Sequence, residues 1–314
     1  MSMTEERPVA TTDAPGHSGR GLALMLSAAG SSQVGAAMGA HAFGAIGPAG
    51  VVAVRQLVAA AVLLPIARPN PLRLTRAQWY PTLALAAIFA GMNLALYTAV
   101  DRVGLALAVT LEFLGPLAVA LAGSRTRRDL LCAIAVAIGV YILVLPGPSS
   151  DLLGIGFGLA AAACWAGYIL LNRIVGRRLP GLQGTAVATS VSALGYLPVL
   201  VWLFVSDRVT PAAFGFAVVA GILSSAVPYT LDLIALRGVS PRVFGVVMSA
   251  HPVMAAIAGL LLLGQQLALH EVAGITIVVA VNIVTVLAAG RGGPVSPGST
   301  GRGYRFGFGR RSKA

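Results

Sequence analysis

Three charged residues stand inside long apolar runs, where a charge is costly and therefore chemically informative. Glu112 lies in VTLEFLGPLAVAL, Arg55 in GVVAVRQLVAAAVLL and Asp232 in YTLDLIALR. A charged side chain at the centre of a membrane helix costs about 2.5–3.5 kcal/mol on insertion scales. Glu112 is nine residues from one end of its run, roughly 14 Å at 1.5 Å per residue and near the centre of a bilayer. A carboxyl at that depth can alternate between protonated and charged forms as a cavity opens to either side, or it can hold two helices together in an ion pair. Arg55 is seven residues in from the same face, about 10 Å deep. Its guanidinium is a bidentate fork for carboxylates. It can meet Glu112 or a substrate carboxylate at that depth, or snorkel outward. Asp232 is one turn from the end of its run, where it can reach the interface or pair with Arg237.

Milder polar residues accompany them: Gln33, Asn93, Tyr97, Trp165, Tyr168, Tyr229, Ser249 and His251. Any one of these can be a satisfied interhelical hydrogen bond or a residue lining a path. Asn93 and Tyr97 share a helical face through their i, i+4 spacing. Pro116 and Pro252 fall within apolar runs, where each removes a backbone hydrogen bond and can open the helix beside a cavity. Other chemistry is missing. There is no GxxxxGK[ST] or GxSxG pattern, and HEVAG at 270–274 lacks the second His of a zinc-protease motif. Cys132 and Cys164 lie in apolar stretches and read as small core residues. No metal or cofactor is expected.

The elements that must position these residues follow from composition. Of 314 residues, 57% are hydrophobic and only 10% charged, against about 25% charged in a soluble domain. With a mean hydropathy of +0.86, the chain has too few charges to cover a water-soluble fold, and a soluble enzyme is excluded. Apolar runs near 22–40, 48–67, 81–100, 103–123, 129–146, 152–171, 184–205, 212–236, 241–263 and 268–289 read as ten membrane helices of about 20 residues each. They must be helices, because irregular backbone cannot be satisfied in hydrocarbon, and the alternating ten-residue segments of a β-barrel are absent. The fold class is all-α integral membrane. A polar tail, 1–21, precedes the spans and lacks the apolar region and cleavage site of a signal peptide. The Gly-, Ser- and Arg-rich tail 291–314 cannot bury a core and reads as disordered. It can lie against anionic lipid, or bind RNA.

Orientation follows from Lys and Arg. If both termini are cytosolic, 19 of the 22 basic residues fall in the tails and inner loops. The outer loops hold only Arg102 and Arg208, and Arg55 lies within a span. So strict a segregation supports ten spans and accounts for the net charge of +12 without nucleic acid. Trp79, Tyr80 and Trp202 fall at run ends and suit interfacial anchors.

The segment 97–116, YTAVDRVGLALAVTLEFLGP, aligns with 233–252, LIALRGVSPRVFGVVMSAHP, at a constant offset, and Pro116 meets Pro252. Two five-span halves, 22–146 and 152–290, would then be inverted with respect to each other. Inverted repeats with a midplane site between them are a signature of secondary transporters.

Three segments carry a resemblance to a known family: GMNLALYTAVDRVGLALAVTLEFLGPLAVAL (91–121), AACWAGYILLNR (162–173) and SSAVPYTLDLIALRGVSPRVFGVVMSAHPVMAAIAGLLLLGQ (224–265). They resemble the EamA-type transporters of the drug/metabolite transporter superfamily, and among these the threonine/homoserine exporters of bacterial inner membranes. The resemblance implies ten helices in two inverted halves in the bacterial cytoplasmic membrane. It matches Glu112, Arg55 and Asp232 to positions where such exporters carry Glu, Arg and Glu. Two departures are visible: His251 stands where the family often has Glu before the proline, and Gln265 where it often has Glu after Gly264. The implied function is export of small zwitterionic amino acids by proton antiport, with Arg55 and Glu112 supplying the anion-binding and cation-binding groups and Glu112 the leading proton carrier. The implied partners are that substrate, protons and the lipid bilayer, with a homodimer possible and no nucleic acid. An exporter of a cationic drug or a nucleobase is the alternative within the superfamily. From another class, the chain could be a structural or assembly subunit, for which charges at mid-membrane have little use.

Overall fold

The computed structural model describes residues 15–122, 127–145, 151–228, 231 and 246–289. Asp232, Tyr229, most of the second repeat segment 233–252 and the tail 291–314 lie outside the described residues. Among those described, every regular element is a helix. In chain order they are α1 (Pro15–Ala40), α2 (Phe43–Ala67), a 3-10 turn (Pro71–Arg73), α3 (Arg76–Val103), α4 (Leu105–Glu112), α5 (Leu114–Ala122) and α6 (Arg127–Val144). There follow α7 (Leu152–Arg178), α8 (Gln183–Gly195), α9 (Leu197–Val205), α10 (Pro211–Gly221) with a π-helical extension Ile222–Ala226, α11 (His251–Leu263) and α12 (Leu269–Ala289).

Among the described residues, seven runs are long and apolar enough to cross a membrane: Phe43–Ala67, Arg76–Val103, Leu105–Ala122, Leu152–Arg178, Gln183–Val205, Val246–Leu263 and Leu269–Leu287. Two shorter apolar helices, Leu130–Val144 and Pro211–Ala226, accompany them. The protein is an all-α, multi-pass membrane protein. Leu130, Leu131, Val205 and Leu261 are each more than half exposed, as suits side chains that face acyl chains. The interior is built from small residues instead. Ala36, Ala37, Ala99, Ala108, Ala255 and Ala258 share one buried cluster with Val100, Leu105, Val109 and Phe113. Without a hydrophobic force between helices in lipid, close backbone approach supplies the packing. A Cβ on Gly115 would collide with the carbonyl oxygen of Ala162, so α5 lies directly on the backbone of α7.

Antiparallel α3 and α7 are tied at both ends. At one end Arg102 Nε meets Asp151 Oδ2 at 2.9 Å. At the other, Arg178 donates to the Ala77 carbonyl, and Gln78 Nε2 donates to the Arg178 carbonyl at 2.8 Å. Asp151 also caps α7 by accepting from the Gly154 N–H at 2.9 Å. That bond, with Arg102 adding to it, holds the Asp151 carboxyl below the usual carboxylate range, so the pair stays charged at neutral pH.

Two spans are interrupted next to prolines. The run Leu105–Ala122 breaks at Phe113 between α4 and α5, because Pro116 has no N–H for the carbonyl of Glu112, four residues earlier. In the run Val246–Leu263, a turn at Ser249–Ala250 precedes α11, with Pro252 in its first turn. The tight connection from α3 to α4 needs Gly104, whose φ of +85° lies where L residues are strained.

Candidate functional site

The π segment after α10 leaves a main-chain acceptor that an α-helix would have consumed. Val227 N–H bonds the carbonyl of Ile222, one residue further back than in an α-helix. The next residue, Pro228, has no N–H to offer, so the Leu223 carbonyl lacks a helical donor in that register. It accepts from Ser31 Oγ of α1 at 2.8 Å instead. The Ser224 carbonyl accepts from Arg55 Nη2 at 3.3 Å, and Ser224 Oγ donates to the Ser32 carbonyl at 3.0 Å. A side chain at Gly35 would run into Ser224, so this glycine lets α1 lie against the segment, and one at Gly39 would crowd Tyr97 and Val51.

Arg55 is the hub of this region. Its Nη1 donates to Asn93 Oδ1 at 2.7 Å and its Nε to Ser225 Oγ at 3.4 Å. The guanidinium carbon sits 5.2 Å from the centre of the Tyr97 ring, within range of a cation–π contact. Asn93 is itself oriented by donating Nδ2 to the Phe89 carbonyl at 2.7 Å. Gln56, the next residue of α2 and about 100° round the helix, donates Nε2 to Ser192 Oγ at 2.8 Å and ties α2 to α8.

Glu112 is buried at the end of α4, 6% exposed. Among the described residues the only salt bridge joins Arg102 and Asp151, so Arg55 and Glu112 do not form a closed ion pair. Beyond Glu112, the Phe113 ring meets Trp165 edge-on at 4.7 Å and His251 at 5.2 Å. His251 Nδ1 is 3.1 Å from Gln33 Nε2. Among the described residues, Tyr97 Oη, Gln33 Oε1 and His251 Nε2 in this interior are buried without a hydrogen-bond partner, whereas buried polar atoms are normally paired.

The structure therefore brings Arg55, Asn93 and Tyr97 together, and sets Phe113, the residue after Glu112, against Trp165 and His251, with His251 beside Gln33. Tyr168 packs on Phe89, with ring centres 5.4 Å apart. Tyr229 and Asp232 lie outside the described residues. Ser224 and Ser225 were not among the sequence candidates. The available signal was Pro228, which frees carbonyls one turn earlier. At Gln265, Oε1 accepts from the Leu105 N–H at 3.0 Å and caps α4. An amide oxygen meets that need as a carboxylate would, so this departure from the resembling family leaves the cap intact.

Known proteins share this architecture. A solved crystal structure of a protein matches with a TM-score of 0.58 at 19% identity, over 86% of this chain and 98% of that one. The threonine/homoserine exporter RhtA of Escherichia coli strain K12 is 33% identical over 276 residues, covering 85% of this chain and 91% of its own. RhtA of Salmonella typhimurium strain LT2 is 32% identical over 278 residues, covering 85% and 92%. The uncharacterized transporter YwfM of Bacillus subtilis strain 168 is 26% identical over 222 residues, covering 68% and 75%. The EamA-like transporter family matches residues 152–287. With a family match across the second half and relatives above 30% identity aligned along nearly their whole length, the chain belongs to the EamA-like transporter family.

Proposed function

We propose that the protein exports small amino acids of the threonine/homoserine kind across the bacterial cytoplasmic membrane, in exchange for protons, with Glu112 as the proton carrier. The observation that carries this reading is the pairing of two unlike groups in one interior. The Arg55 fork is held in place by Asn93 and the Ser224 carbonyl, and Glu112 stands apart from it in the break of a helix. A zwitterion needs an anion-binding and a cation-binding group a few ångströms apart, and neither may be used up by the other. The relatives' names point to the same substrates. The alternative, a cationic drug or a nucleobase, would leave the Arg55 fork without a carboxylate to bind.

The test is uptake of labelled threonine and homoserine into inverted vesicles. An acidic lumen is expected to drive accumulation, and dissipating the pH gradient should abolish it. Failure of every amino acid in a panel to accumulate would overturn the proposal.

The reading includes ten spans in two inverted halves, 22–146 and 152–290, with both termini cytosolic. Arg102 and Asp151, assigned to outer loops, meet each other. Ala77 and Arg178, assigned to the inner face, also meet. Both contacts support the alternation. Reporter fusions at Ser149 and Gly181 are expected on opposite sides of the membrane; the same side for both would refute the topology.

A further inference from the structure

We propose that the connection between α2 and α3, together with the end of α7, forms a seat for an anionic phospholipid headgroup, with Leu72 entering the acyl layer beside it. The inference goes beyond the transport reading and does not depend on which solute is carried. It starts from charge. Arg68, Arg73 and Arg76 stand on or beside the α2–α3 connection, and Arg173, Arg177 and Arg178 on the last two turns of α7; all six are exposed. No Asp or Glu occurs between residues 14 and 100 or between 152 and 206, so neither stretch supplies a carboxylate of its own to neutralise them. The two sets of arginines form one surface. Gln78 Nε2 donates to the Arg178 carbonyl at 2.8 Å, and Arg178 donates to the Ala77 carbonyl. Leu74 packs against the buried cluster that holds Val175 and Leu179 of α7.

The connection is built to hold its shape. Arg68 closes α2 by donating its N–H to the Leu64 carbonyl at 2.9 Å, Pro69 and Pro71 fix their own φ, and Thr75 N–H donates to Gln78 Oε1 at 2.9 Å. On this frame Leu74 turns inward while Leu72, in the 3-10 turn, is 96% exposed. Tyr80, one turn into α3, is 73% exposed. An excess of arginine serves to orient a membrane protein, but orientation gives no reason to present a bare leucine on a fixed turn among arginines. At the leaflet surface the arrangement has a use. Leu72 is buried at the acyl boundary, the arginine heads stay at headgroup level, and the Tyr80 ring lies in the interface. The planar guanidinium matches phosphate oxygens, and basic surfaces between membrane helices on the cytosolic side take anionic headgroups. Free phosphate would meet the same forks and leave Leu72 in water, so the occupant is the lipid rather than its soluble headgroup.

The experiment titrates the full-length protein, purified in a neutral detergent, with phosphatidylglycerol, with phosphatidylcholine of the same acyl chains, and with glycerol phosphate. Bound molecules are counted by native mass spectrometry. Each arginine beside an anionic headgroup corresponds to roughly a fivefold change in affinity, so phosphatidylglycerol is expected to bind at least roughly tenfold more tightly than phosphatidylcholine. Glycerol phosphate should not be retained. Arg73→Gln combined with Arg76→Gln should weaken phosphatidylglycerol binding at least roughly tenfold. Leu72→Ser leaves every charge in place and has little packing to lose, yet it should weaken the same binding at least roughly threefold. It decides the question alone should the arginine variant fail to insert. Equal affinity for the two lipids, or glycerol phosphate held as tightly as the lipid, overturns the seat. So does phosphatidylglycerol binding that Leu72→Ser leaves unchanged, which would show a plain basic face, or binding that the arginine variant leaves unchanged, which would place the lipid elsewhere. Each of these results leaves the amino-acid reading in place, because no solute enters the measurement.

Discussion

Glu112→Gln is expected to abolish net export driven by a pH gradient while the protein inserts at close to its usual level. The substitution keeps the shape of the side chain and mimics its protonated form permanently. Glu112 is buried at the end of α4 and beside the turn at Phe113, and under the proposed antiport it takes up or releases a proton there as the cavity changes sides. With the cavity open to the more acidic outside, protonation removes the cost of a buried charge and loosens the hold on a substrate ammonium. With the cavity open to the cytosol, proton release restores the charge and favours binding of the next substrate. A fixed amide can do neither, so gradient-driven flux should fall to background and substrate binding should weaken and lose its dependence on pH. Folding should survive, because Arg55 does not depend on Glu112 for partners: Asn93, Ser225 and the Ser224 carbonyl already hold its fork. The opposite outcome is equally clear. Reduced insertion with pH-driven flux preserved in the inserted molecules would make Glu112 a structural residue, and normal pH-coupled flux would exclude it as the proton carrier.

Much of the scaffold was legible because membrane helices announce themselves by composition. The span read as 81–100 is helical over Arg76–Val103, and that read as 103–123 over Leu105–Ala122. The helices extend further than hydropathy suggests where capping continues them into polar sequence, as Thr75 and Gln78 do at the start of α3. The interior was less legible, for a geometric reason. Position along a run gives depth, but each residue also turns the side chain by about 100° about the helix axis. Depth alone therefore allowed Arg55 to meet Glu112 directly, and the structure turns its fork to α3 and the π segment instead. Where spacing within one helix carried azimuth, the reading was sharper: Asn93 and Tyr97, at i and i+4, both meet Arg55. Ser224 and Ser225 were invisible as hydroxyls among many, and only the missing N–H of Pro228 explains why a main-chain oxygen is free there.

The same geometry makes Arg55→Lys the second large expected effect. Lysine keeps the charge but replaces a planar fork with a point donor on a flexible stem. Arg55 at once bonds Asn93, Ser225 and the Ser224 carbonyl and stacks over Tyr97. An ammonium cannot span those positions and also grip a carboxylate with two parallel hydrogen bonds. Hydrogen bonds to charged groups contribute about 1.5–3 kcal/mol each, so losing one to the substrate corresponds to roughly a tenfold to hundredfold rise in the apparent KM for threonine export. If Arg55 binds the carboxylate, the rise should be largest for solutes that carry one and small for an amino-acid amide, in which that carboxylate is missing. If Arg55 only ties α2 to α3 and the π segment, Lys should lower the amount of inserted protein and leave the KM of the remainder unchanged for every solute. Asn93→Ala separates the roles further, because it removes the strongest tether of the fork, 2.7 Å long, without touching the charge. It should raise the same KM by less than Arg55→Lys does, and by an amount that shrinks in the presence of that substitution, since a lysine has no fork left to orient. Additive effects of the two substitutions would show that Asn93 does not act through Arg55.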